Sequence, residues 1–69
     1  MDMKNRIQSI KLLSGTRWEV HEEITPDAFV SSIYEVFNKI VPMYRVEYSN
    51  GCWFEIPVSS VEFVSGYMK

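Results

Sequence analysis

Hydrophobic and polar positions alternate along both ends of this chain. Residues 7–13 and 16–22 read as two strands around Ser14-Gly15, with Ile10 and Leu12 facing the same way as Trp18 and Val20. Residues 43–48 and 52–56 alternate in the same fashion around Asn50-Gly51, and Asn-Gly between two such runs is the strongest short-range hairpin signal. The pattern therefore predicts two β-hairpins.

Between them the period lengthens. Thr25-Pro26-Asp27 reads as a helix start: a threonine cap, proline at the first helical position where its missing N–H costs nothing, and an acid in the first turn. Phe29, Ile33, Val36, Phe37 and Ile40 fall at helical spacing, Val30, Tyr34 and Val41 widen the stripe, and Glu35 precedes Lys39 by one favourable turn. Pro42 disfavours helical geometry at Val41, so the helix is expected to run from 26 to about 40. The segment 57–60 is turn-like because Pro57 cannot donate to a ladder, and 61–64 reads as a short final strand. The expected fold is α+β: a two-layer domain in the order β-β-α-β-β plus a short fifth strand, with one helix packed on a mostly antiparallel sheet. One small domain spanning 1–69 is expected, frayed at 1–6 and 65–69.

The register of the second hairpin follows from which side chains would meet. A two-residue loop at Asn50-Gly51 would set Val46 against Glu55 and Glu47 against Phe54. A three-residue loop, Ser49-Asn50-Gly51, with Gly51 left-handed and a bulge, sets Tyr48 against Cys52, Val46 against Phe54 and Tyr44 against Ile56. The second register is preferred. It places Arg45 opposite Glu55 and Glu47 opposite Trp53 on the other face. Aligning Gly15 with Gly51 also exposes an internal echo, in which Ile10, Leu12, Trp18, Glu19 and Val20 match Val46, Tyr48, Phe54, Glu55 and Ile56.

Composition narrows the function classes. The chain has 69 residues, 46% of them hydrophobic and 23% charged, which suits a folded domain and not a disordered tail. No apolar run approaches the ~20 residues of a membrane span, and the N-terminus carries no signal-peptide pattern. With one cysteine the chain cannot form an internal disulfide, so a soluble protein of the cytoplasm is expected. The net charge of −2 is unevenly placed: +3 over residues 1–17 and −5 over 18–69.

The chemistry-bearing residues are few. His21 is the only histidine and has no ligand cluster around it in sequence, so no metal and no cofactor are expected. Cys52 alternates with Phe54 and Ile56 and is expected in the core, where a thiol is inert. The seven glutamates are scattered, and the glycine turns lack phosphate-loop spacing; an enzyme is not expected. Trp18, Phe54, Phe29 and Phe37 are assigned to the core. Trp53 instead projects from the opposite sheet face among Arg45, Glu47 and Glu55. An outward tryptophan among charges is a typical binding hot spot. The plainer readings are that the tail caps it through Tyr67 or Met68, or that it stacks under Arg45.

The turn sequence Leu13-Ser14-Gly15, the Thr25-Pro26-Asp27 start, Ser49-Asn50-Gly51 and the closing stretch from Ile56-Pro57 to Phe63-Val64 together resemble small uncharacterised proteins of phages and prophages in Gram-positive bacteria. That resemblance implies an accessory protein that binds and modulates a partner; it carries over no site residues. The expected function is a non-enzymatic protein-interaction module contacting a protein partner through Trp53, Arg45, Glu47 and Glu55, with self-association through an exposed sheet edge as a companion expectation. The competing class is nucleic-acid binding by Lys4, Arg6, Lys11 and Arg17, which the overall acidity weakens.

Overall fold

A computed structural model of the chain describes residues 6–37 and 40–66. Seven strands form two antiparallel sheets. β1 (Ser9–Leu12) pairs with β2 (Arg17–Glu19) on one side and with the closing strand β7 (Val61–Ser65) on the other, giving the order β2-β1-β7. β3 (Glu23–Thr25), β4 (Ala28–Val36), β5 (Met43–Tyr48) and β6 (Trp53–Pro57) follow one another in the second sheet, and a single 3-10 turn, Val58–Ser60, links β6 to β7.

β4 stitches the sheets together. The Ile7 N–H donates to the Ile33 carbonyl at 2.9 Å, Arg6 bridges Tyr34, and the His21 N–H donates to the Val30 carbonyl at 2.8 Å. The result is a small barrel-like sandwich. Ile7, Ile10, Val20, Val30, Ile33, Tyr44, Val46 and Ile56 fill it, and Trp18 meets Phe54 across the sheets at 5.1 Å between ring centroids.

The α+β expectation is overturned, because the segment read as a helix, 26–40, holds the turn after β3 and then β4, and the described residues contain no α-helix. Thr25-Pro26-Asp27 is a hairpin turn: Thr25 lies opposite Ala28, and the Thr25 hydroxyl oxygen accepts the Asp27 N–H at 3.3 Å. A threonine followed by proline suits a turn as well as a helix start, since both need φ near −65° at proline. The helical spacing has a different origin. β4 carries a bulge at Ser31, where Val30 faces Tyr48 but Ser32 faces Glu47, so Val30 and Ile33 share the core face although three residues apart. Strand pairing on both sides then settles the conformation of a segment rich in β-branched and aromatic residues. Phe29 and Phe37, expected in the core, are consequently exposed. The expected Glu35–Lys39 pair involves a residue outside the described ones.

Both hairpin turns agree with the sequence reading and with each other. Tyr48 N–H donates to the Cys52 carbonyl at 2.8 Å and Gly51 N–H to the Tyr48 carbonyl at 3.1 Å; Leu12 N–H donates to Thr16 at 2.8 Å and Gly15 N–H to Leu12 at 2.9 Å. Gly51 and Gly15 take φ of 93° and 98°, a region that disfavours any side chain. The internal echo is thus a structural equivalence: Ile10 opposes Trp18 as Val46 opposes Phe54, and the equivalent aromatics Trp18 and Phe54 are the pair that touches across the core. Cys52 departs from expectation. It precedes β6, is exposed, and its N–H donates to the Asn50 side-chain oxygen at 3.0 Å.

Candidate functional site

The outer face of the four-stranded sheet is built from two cross-strand rows. The three-residue turn fixes Arg45 opposite Glu55 and Glu47 opposite Trp53, and the β4 pairing adds Tyr34 beside Arg45 and Ser32 beside Glu47. All four residues expected to contact a partner therefore stand together. Ser32 and Tyr34 join them, and these two were hidden from sequence reasoning by their assignment to a helix.

The rows are tied into one network. Arg45 grips Glu55 Oε2 through Nε at 3.1 Å and Nη2 at 2.6 Å, with both side chains largely covered. Its Nη1 donates to the Tyr34 hydroxyl oxygen at 3.4 Å, and that hydroxyl donates to Glu47 Oε2 at 2.6 Å. Ser32 Oγ donates to the other Glu47 oxygen at 2.9 Å. Charge-assisted bonds of this kind are the stronger class of hydrogen bond. Burial, reinforced by the bond to Glu47, holds the Tyr34 hydroxyl above its ordinary pKa, while the Glu55 hydrogen bond holds the Arg45 guanidinium more firmly protonated than usual.

Trp53 lies on top of this network. The Arg45 guanidinium carbon sits 4.1 Å from the Trp53 ring centroid, a close cation–π stack, yet 55% of the residue remains exposed. Arg45 thus has two tasks. It neutralises Glu55 beneath and fixes the plane of the indole above. The stacked alternative raised by the sequence holds together with exposure; Tyr67 and Met68, the candidate caps, lie outside the described residues.

The basic candidates do not converge in this way. Lys11 and Arg17 are neighbours on the outer face of the three-stranded sheet, but Lys11 pairs with Glu62 at 3.3 Å and Arg17 with Glu19 at 3.5 Å. The Arg6 backbone pairs with Tyr34 in an isolated antiparallel bridge at the junction of the sheets, and Lys4 lies outside the described residues. Phe63, exposed opposite Lys11, gives that face one aromatic.

His21 has a backbone in the left-handed region, φ 76°, at the tight turn after β2, and its ring lies 6.2 Å from Phe29 over a shallow hollow shared with Glu23 and Asp27. Among the described residues no three His, Cys, Asp or Glu side chains are grouped to hold a metal, and no helix is long and apolar enough to cross a membrane. Compared with known proteins, the chain matches no family model, no curated protein and no solved structure.

Proposed function

We propose that this chain is a non-enzymatic protein-interaction module whose partner docks on the outer face of the β4-β5-β6 sheet, with Trp53 as the anchor. One observation carries the reading: an exposed tryptophan is held in a fixed plane by Arg45, which is itself clamped to Glu55 and Tyr34. Pre-ordering removes much of the entropy cost of immobilising a large side chain at an interface, a cost of roughly 0.5–1.5 kcal/mol per side chain. Tryptophan and arginine are also the residue types enriched where binding energy concentrates.

An accessory role in the cytoplasm fits this reading. The exposed thiol of Cys52 suits a reducing compartment, and the module would act by covering or remodelling its partner's surface. The partner should present an apolar slot for the indole, flanked by donors able to reach Glu47.

The test is a quantitative pull-down from a lysate of the native host. Trp53→Ala should leave the fold intact and lower partner recovery by about tenfold or more, the scale of a hot-spot truncation of at least 1.4 kcal/mol. Unchanged recovery with an intact fold would sink the assignment. Recovery dominated by nucleic acid, and falling steeply with salt, would move the function to the Lys11 and Arg17 face instead.

A further inference from the structure

The chain has three asparagines, and only Asn50 is followed by glycine; Asn5 precedes Arg6 and Asn38 precedes Lys39. An asparagine carboxamide lies within reach of the next residue's backbone nitrogen, and attack by that nitrogen closes an imide ring. Glycine presents the least hindered nitrogen, because it has no Cβ and moves through backbone angles closed to other residues. Ser49, Asn50, Gly51 and Cys52 are all exposed to water.

The folded turn holds this chemistry in check. The Gly51 N–H donates to the Tyr48 carbonyl at 3.1 Å, and neither residue between them, Ser49 or Asn50, has a positive φ. That combination is a type I turn, in which the second central residue has ψ of about 0°. At this angle the Gly51 nitrogen lies on the side of Asn50's own N–H, away from the Asn50 Cβ. The carboxamide is held as well, since its Oδ1 accepts the Cys52 N–H at 3.0 Å in the local bond that asparagine makes in turns. Ring closure requires the turn to open and both bonds to break.

We infer that Asn50 is a site of spontaneous modification whose rate is set by the opening of this turn. In the opened turn hydroxide takes the Gly51 amide proton, and the nitrogen bonds to Asn50 Cγ. The bond from Cγ to the side-chain nitrogen breaks, and that nitrogen takes a proton from water and leaves as ammonia, which restores the hydroxide. Water then adds to one imide carbonyl and breaks its bond to nitrogen. Opening at Cγ leaves aspartate on a normal backbone; opening at the backbone carbonyl leaves isoaspartate, with the chain routed through the side chain. Nothing is oxidised or reduced. Both products add a negative charge, and isoaspartate also lengthens the loop by one methylene. Loop length is what sets Arg45 opposite Glu55 and Glu47 opposite Trp53, so the isoaspartate form perturbs the pairing of β5 with β6.

Peptide mapping by mass spectrometry, during incubation of the whole chain in warm and mildly alkaline buffer, tests this. Asn50 should exchange its amide for an acid while Asn5 and Asn38 stay intact, and Asn50→Gln, whose longer side chain must close a larger ring, should remain unmodified at that position. In guanidinium chloride above the unfolding midpoint the rate at Asn50 should rise at least about tenfold, equivalent to about 1.4 kcal/mol of turn opening. The isoaspartate form, separated by ion exchange, should unfold at a lower urea midpoint than the parent. Modification at Asn5 or Asn38 as fast as at Asn50, or none at Asn50 in either state, overturns the site. A rate in denaturant equal to or below the native one overturns the control by the turn, and an unchanged urea midpoint overturns the effect on strand pairing.

Discussion

Tyr34 shows at the scale of one residue how the outer face is held. Its hydroxyl donates to Glu47 and accepts from Arg45, so a single oxygen joins the two cross-strand rows. Ionising it would place a phenolate against a carboxylate, and burial plus that bond raise its pKa above the ordinary value. The sign follows directly. A group whose pKa is raised on folding contributes stability that is complete below the unfolded pKa and is lost as pH rises through the folded one. Stability should therefore fall above about pH 10, the ordinary tyrosine value. Tyr34→Phe should flatten that alkaline limb relative to wild type in urea titrations at increasing pH, while costing stability at neutral pH by leaving Glu47 with one bond fewer. Equal alkaline slopes in the two proteins would show that the network does not depend on the Tyr34 proton. Trp53, Arg45, Glu47 and Glu55 were all legible in the sequence because one local turn fixes their register. Tyr34 and Ser32 were not, because their position depends on β4 pairing with β5, a choice no local signal makes.

Elements were legible where their turns were distinctive. Ser49-Asn50-Gly51 specifies loop length, bulge and register together, and the equivalent Leu13-Ser14-Gly15 loop repeats the same pattern of hydrogen bonds. Both glycines have open space where a Cβ would stand, so substitution there costs only backbone strain. Gly51→Ala and Gly15→Ala should each destabilise by about 1–2 kcal/mol, the usual cost of a left-handed non-glycine residue, and by similar amounts, read from shifts in the urea midpoint. A clear inequality would mean that the two hairpins are alike in geometry but not in energetics. β4 misled for a physical reason. A bulge converts the strand period of two into a local spacing of three, so Val30 and Ile33 look helical, and a proline turn looks like a helix cap. Only the pairing of β4 on both sides, a long-range matter, separates the two readings.

Over the described residues one cluster of buried side chains serves both sheets. A single core of this size supplies roughly 3–5 kcal/mol, so its members are individually decisive. Ile33 is fully buried and Ile40 fully exposed, two isoleucines a few residues apart with opposite duties. Ile33→Val should cost about 0.5–1.5 kcal/mol and Ile33→Ala about 2–5 kcal/mol, enough to leave much of the latter unfolded. Ile40→Ala should change stability by no more than about 0.5 kcal/mol, as an exposed substitution does. Urea titrations of the two alanine variants check the contrast, and equal losses at both positions would show that burial does not separate these two isoleucines.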